Sequence, residues 1–413
     1  MRLLPGLCVL LMLSICAEAA TVSVTASQTS PVTGAVTLTA IPSTTTGLAN
    51  VQFRLDGYVL EAADTTDPYQ ITWSAASALN GDHTLSAVAT YSDGSAATSP
   101  DLTLTVSNAD SFNRTFYVDA VNGSDGSSGL SFAAAWKTLG RANAAVLAGD
   151  TVYLSGTFSA QRIKPVVSGT AAAPIQFKNY PNQQAVIDVG SGEVTVWLPE
   201  LQYIIVDGIK ITNGTYFSVY FERTTRSIIR NCLIERTAIY ITGHDNTIEG
   251  NTITDFGNEV ANSGDAIVVI QGASRNKILS NTMRNAGHAL IGIGHQGATP
   301  GEDNVVARNT LSNPQANVLN LAGNSRRTLV ELNTMSDGAK NGINYPRAGI
   351  NIASRSNVIR YNTIFNNVGP GIYMLSYIFS GLVQETVDNQ IYHNVIYNNG
   401  EACLSMSVQN DTA

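Results

Sequence analysis

Six stretches between residues 246 and 398 share one register, N-x-[IV]-x-x-N-x-[IML]-x-[ND], with modest exceptions: NTIEGNTITD, NKILSNTMRN, NVVARNTLSN, TLVELNTMSD, NVIRYNTIFN and NQIYHNVIYN. SIIRNCLIE, at 227–235, is a degraded member. Apolar residues alternate within each unit, as in strands and not at helical spacing. A strand-type unit that returns every 20 to 32 residues or so cannot bury its apolar face alone. Stacking on its neighbours buries it, and the product is a solenoid.

Equivalent residues of successive parallel coils stack about 4.8 Å apart. An Asn at a turn can therefore donate to one neighbouring coil and accept from the other. Asn231, Asn251, Asn281, Asn309, Asn333, Asn362 and Asn394 form one expected ladder. Asp255, Asn285, Asn313, Asp337, Asn366 and Asn398 form a second, so Asp255 and Asp337 read as scaffold and not as a catalytic pair.

The N-terminus, MRLLPGLCVLLMLSICAEAA, has a basic residue at Arg2, an apolar run from Leu3 to Cys16 and an A-x-A site at 17–19. It reads as an export leader, residues 1–20, too short to span a membrane. Of the four cysteines, Cys232 and Cys403 lie outside the leader and read as small buried apolar residues. The net charge of −8 argues against nucleic acid or an anionic membrane surface as the partner.

Residues 21–108 carry short β-type runs separated by turns, the pattern of a β-sandwich. VQFRLDGYVLEAADTTDPYQITWSAASALNGDHTLSAVATYSDGSAATS resembles bacterial immunoglobulin-like modules. Trp73, Leu55 and Phe53 must pack its core without a disulfide, and His83 reads as an exposed turn residue. A linker, 109–115, follows. The pieces Tyr117-Val118, Gly123-Ser124-Asp125, Trp136-Lys137-Thr138-Leu139 and Gly149-Asp150-Thr151-Val152-Tyr153 then resemble the start of right-handed parallel β-helix proteins of the pectate-lyase-like superfamily. The resemblance implies that 116–413 is such a helix, opened by a short capping helix near Trp136 to Leu147. The chain ends directly after a repeat, at SMSVQNDTA, without an obvious cap, and is expected to be a fragment whose missing coils hold further site residues.

Aligned on the strand after each ladder, Ile239, Ile267, Leu290, Leu319, Ile350 and Ile372 are expected to point inward. Tyr240, Val268, Ile291, Asn320, Asn351 and Tyr373 form the outward column, and Asp265, His288 and Asn317 share a column just before the strand. An Asp beside a His holds its tautomer and raises its pKa, which suits acid–base catalysis. Lys340, Tyr345 and Arg347, from the loop entering the next coil, supply charge neutralisation or a second proton-transfer group. Capping of turn backbone is the competing role for Asp265 and His288. His295 and His244 sit at post-strand turns, where loops of a solenoid carry function, and His393 reads as structural.

Three functions fit these residues. The leading one is a polysaccharide lyase that cleaves an acidic, uronate-containing glycan by β-elimination. Asp265, His288, Lys340 and Arg347 would be catalytic; Asn317, Asn320, Asn351, Tyr240, Tyr345, Tyr373 and His295 would bind substrate. The family resemblance implies Ca²⁺ or Arg on the substrate carboxylate, yet no dense Asp cluster marks a Ca²⁺ site. The second is a glycoside hydrolase, since GDAI…GHALIGIG is similar to polygalacturonase segments with Asp265 and His288 in matching places. The paired second Asp, the upstream Asn-Thr-Asp and the later Arg-Ile-Lys of that family are missing. The third is a non-catalytic, carbohydrate-binding surface β-helix.

Overall fold

The computed structural model describes residues 19–75, 78, 81–107, 113–190, 194–214, 218–256, 264–294, 299–338, 347–379, 382–384 and 386–409. The expected leader lies outside them except for its last two residues. So does most of the linker, together with Lys340, Tyr345 and His295.

Two antiparallel sheets form the N-terminal sandwich. One holds Val22–Ala26, Ala35–Pro42 and Gln70–Ser74; the other holds Leu48–Leu55, Tyr58–Val59, Gly81–Tyr91, Ala96–Thr98 and Leu102–Val106. Alternation directs Val36 and Leu38 from one sheet, and Val51, Phe53 and Leu55 from the other, into a common core around Trp73. His83 departs from its expected turn. It lies on the strand Gly81–Tyr91, its side chain 11% exposed, with Nδ1 2.7 Å from Asp56 Oδ2.

The second unit is a parallel β-helix of three long sheets. The first sheet has eleven strands; the second and third have ten each. Its opening segment supplies the capping helix, which spans Leu139–Ala145, with the Thr138 hydroxyl accepting from Arg141 N–H. Phe116 stacks on Trp136 at 4.4 Å, and the buried Arg114 guanidinium meets the buried Asp150 carboxylate. The two units touch at this cap: Ser128 N–H donates to Val59 O at 2.9 Å, and Leu130 packs against both cores.

In the motif coils the turn between the first and second sheets has a constant length of two residues. It is 250–251, 280–281, 308–309, 332–333, 361–362 and 393–394 in successive coils, and its second residue is always the buried or half-buried Asn of the motif. Each of these side chains reaches back one coil. Asn309, for instance, accepts from Asn281 N–H at 2.9 Å and donates to Ile278 O at 2.9 Å. The run starts with Asn251 accepting from Cys232 N–H, so Cys232, and not Asn231, holds the first ladder position. Asn231 instead adopts positive φ one residue earlier and donates to Asp207. Burial drives the Cys232 thiol pKa up to about 12, which leaves it inert. Cys403 is exposed rather than buried, and both cysteines are free.

The second expected ladder is present on the outside. Asp255, Asn285, Asn313, Asp337, Asn366 and Asn398 all have positive φ, and Asn285 donates to Asp255 while Asn313 donates to Asn285. A further buried ladder joins the third sheet to the first: Asn246 N–H donates to Asn276 Oδ1 and Asn276 N–H to Asn304 Oδ1, both at 3.0 Å. Its signal was the first Asn of the same motif. Replacing Asn309 with Leu orphans buried groups on two coils, and chemical denaturation should show a loss of about 1–3 kcal/mol for each. Asn313→Gly keeps the positive-φ turn and should stay within about 0.5 kcal/mol of the parent.

Candidate functional site

Variation is concentrated at the turn from the second sheet to the third. This connection is 236–238 in one coil, 257–266 in the next, then 287–290, 313–318 and 337–349. Asp265, His288, Asn317 and Arg347 all lie on it. A rigid scaffold with a variable edge is the arrangement in which loops carry function.

The third sheet sets the register. Ile239, Ile267, Ile291, Leu319, Ile350 and Ile372 align, with Tyr240, Val268, Gly292, Asn320, Asn351 and Tyr373 beside them. The third coil is therefore one residue out from the expected alignment: Ile291 fills the inward place given to Leu290, and Gly292 the outward place given to Ile291. Leu290 and Ile291 are both fully buried and apolar, so hydrophobicity alone could not choose between the two registers.

The shift moves His288 as well. Ala289 stands between Asp265 and Asn317, while His288 stands one residue earlier, in a column with Gly264, Ala316 and Arg347. The backbone bonds His288 N–H to Gly264 O and Ala316 N–H to His288 O mark this column. Asp265 and His288 still meet, across the diagonal. Asp265 Oδ1 accepts from His288 Nδ1 at 2.6 Å and from Ala289 N–H at 2.9 Å. Their side chains are 6% and 15% exposed. Asn317 makes the equivalent backbone bond one step on, accepting from Ala348 N–H at 2.8 Å. Capping and pairing are thus combined in Asp265, while Asn317, 1% exposed, is a cap.

Because Asp265 accepts the hydrogen bond from Nδ1–H, the neutral imidazole carries its lone pair on Nε2. Burial works against the imidazolium, but the hydrogen bond to Asp265 and its charge outweigh it, and the His288 pKa lies above its ordinary value. Ala316, a small side chain, separates His288 from Arg347 in the column, and Arg347 is held at positive φ.

The outward column beside this edge is covered. Tyr240 is 6% exposed, Asn320 7% and Asn351 8%; only Tyr373 is half-buried. Tyr240 packs with Val268 and Ile270 and against Tyr220, whose ring centroid is 5.8 Å away. Gly292, itself buried, puts no side chain in the column between Val268 and Asn320, on the same coil as His288. The expected register had Ile291 in this place. His244 accepts from Ser274 N–H at 3.1 Å, and His393 stacks on Tyr361 at 5.1 Å, so both serve turns. Among the described residues no three of His, Cys, Asp or Glu come together. Asp265 already serves an amide and an imidazole, a donor set that does not fit the six to eight oxygens Ca²⁺ takes.

The model of the right handed beta helix region matches residues 175–298, 200–351 and 256–377, and that of a bacterial Ig domain matches 20–87. The chain is a right-handed parallel β-helix protein with an N-terminal bacterial Ig domain. The resemblance to the pectate-lyase-like superfamily therefore holds for the fold. No curated protein matches the chain in sequence. Among solved structures, the GH136 lacto-N-biosidase from Eubacterium ramulus is 13% identical, over 70% of this chain and 68% of that one, with a TM-score of 0.44. The pectate lyase Pel9A is 16% identical, over 73% and 78%, with a TM-score of 0.45. An alginate lyase from Paenibacillus sp. str. FPU-7 is 17% identical, over 72% and 99%, with a TM-score of 0.44. Among the described residues no helix is long and apolar enough to cross a membrane.

The raised His288 pKa fixes a pH dependence. Below the unfolded pKa, about 6.5, the pair's contribution to stability is fully present; it is lost as pH rises through the folded value. Urea denaturation of the parent and His288→Gln should therefore differ most near pH 5.5 and converge in the alkaline range. A gap that widens with pH would mean that Asp265 does not hold the imidazolium.

Proposed function

We infer that this protein acts on carbohydrate outside the cytoplasm, as a polysaccharide lyase on an acidic glycan. The observation that carries the reading is the Asp265–His288 pair, with Arg347 in the same column two coils away. In β-elimination a base removes the C5 proton of a uronate, electrons collect on the carboxylate as an enolate, and the C4–O bond breaks to leave a C4=C5 double bond. The leaving oxygen takes up a proton.

Neutral His288 supplies Nε2 as the base, and Asp265 stabilises the imidazolium that forms, as a buried carboxylate does for a histidine base. Arg347 offsets the substrate carboxylate and the enolate charge. Lys340 and Tyr345, on the connection that delivers Arg347, are assigned to protonate the leaving oxygen. Asn317 acts indirectly, holding the backbone next to Arg347 through Ala348 N–H. Asn320, Asn351 and the half-buried Tyr373, with His295 next in sequence after the adjoining strand and turn, are the sugar-contacting set, while Tyr240, packed by Val268, Ile270 and Tyr220, supports the column. A hydrolase would need a second carboxylate across the bond; Asp265 is committed to His288, and Asp337, also on this edge, accepts from the Ser336 hydroxyl and belongs to the outer ladder.

A panel of acidic polysaccharides, followed by ultraviolet absorbance of unsaturated ends and by reducing-end release, tests the assignment. Unsaturated product is expected, with kcat reduced at least about 100-fold in His288→Ala, within the range general base catalysis contributes. The rate should climb as pH passes upward through the raised His288 pKa. Reducing ends without ultraviolet absorbance would instead mean hydrolysis, and lyase activity that survives both His288→Ala and Arg347→Ala would remove these residues from the mechanism.

A further inference from the structure

Asn320 and Asn351 occupy successive coils of the outward column, beyond Gly292 and on the side from which Arg347 comes. Asn351 Nδ2 donates to Asn320 Oδ1 at 2.9 Å. That bond fixes the orientation of the Asn351 amide, and its Oδ1 is left buried without a hydrogen-bond partner. The residue is 8% exposed. Every other asparagine oxygen cited in the buried ladders accepts a backbone N–H from a neighbouring coil; Asn251, Asn281, Asn309, Asn333 and Asn362 are examples. Asn351 breaks the pattern at the one column that faces outward beside His288 and Arg347. A buried acceptor without a donor is costly, and among the described residues the other buried side-chain amide oxygen without a partner is Gln315 Oε1, on the 313–318 connection of the same edge.

We propose that Asn351 is a specificity-determining residue whose Oδ1 accepts a hydrogen bond from a free hydroxyl of a uronate residue, with Asn320 as the residue that positions it. The assignment rests on the acidic-glycan reading and deepens it. An amide oxygen carries partial negative charge and has no proton to give. It accepts from a sugar hydroxyl, repels a carboxylate and gains nothing from an ester oxygen. Arg347, four residues earlier on the same coil, takes the opposite charge. Together they favour a uronate that presents its carboxylate toward Arg347 and an unsubstituted hydroxyl toward Asn351. O-Acetylation at that hydroxyl removes the donor and adds bulk where the column is already covered. Sites built to pair a ligand hydroxyl discriminate strongly against analogues that lack it, because the site's own polar group is then stranded.

The test is calorimetric binding of hexagalacturonate and hexamannuronate, each in free and O-acetylated form, to the full chain and to Asn351→Leu. At least one free hexauronate is expected to bind the parent at least tenfold more tightly than its acetylated form. In Asn351→Leu that ratio should fall to within about twofold, because the acceptor that reads the hydroxyl is gone. Equal binding of free and acetylated forms by the parent overturns the hydroxyl assignment and leaves the acidic-glycan reading standing, whether or not the variant folds. A tenfold ratio that persists in folded Asn351→Leu overturns it too. Binding of neither hexauronate by the parent overturns the acidic-glycan reading itself, and this assignment with it.

Discussion

A side-chain amide that reaches back one coil is the interaction on which the rest of this molecule depends. The strands of the helix are short, many of them three residues, and each must turn after a few residues without leaving turn backbone unsatisfied inside the protein. Asn does this because it carries a donor and an acceptor on one short, rigid group. Its oxygen takes the N–H of the preceding coil and its nitrogen gives to a carbonyl of that coil, as Asn281 does with Asn251 and Ile248. The bond recurs at the same height in every repeat, so the coils are held in register and the interior columns of Ile, Leu, Val and Met stack without slipping.

That regularity frees one edge. Where the first sheet turns into the second, the connection has constant length and a buried or half-buried amide in every motif coil. Where the second turns into the third, it ranges from 236–238 to 337–349, and the ladder there is partial: Asn367 and Asn399 continue it only in the last coils. In the coils between, Asp265 and Asn317 cap in the forward direction instead, accepting from the following coil. Reversing the direction of the cap is what turns the Asp265 carboxylate toward the coil that carries His288. The chemistry proposed for this edge thus grows out of a local departure from the scaffold's own rule.

Much of this was legible from the chain alone. The motif, its strand-type alternation and its spacing led to a parallel β-helix, and the outer Asn/Asp ladder lies where the third polar position of the motif put it. Asp255 and Asp337 are scaffold, as their place in the repeat implied. Trp73, Phe53 and Leu55 pack the sandwich without a disulfide. The departures came where adjacent residues competed for one place. At 231–232 the amide of Asn231 suited the ladder but Cys232 holds the position, and Leu290 and Ile291 were equally apolar. In each case backbone geometry made the choice: Asn231 took the positive-φ turn, and Ile291 took the partner of Ile267.

Sequence by itself determined the architecture, because a repeated pattern constrains every coil at once and an error in one unit is corrected by its neighbours. It also pointed to Asp265 and His288, as polar residues just before the strand of successive coils, and to Arg347, on the loop entering a later coil. Only the tertiary structure decided how those residues meet. A register shift of one residue replaced a straight column by a diagonal contact and put Gly292 in the outward column. Independently of the shift, Tyr240, Asn320 and Asn351 are buried and Asn351 Oδ1 has no donor. Pairing and burial at that edge depend on which backbone groups of different coils reach one another, and one repeat read in isolation does not contain that information.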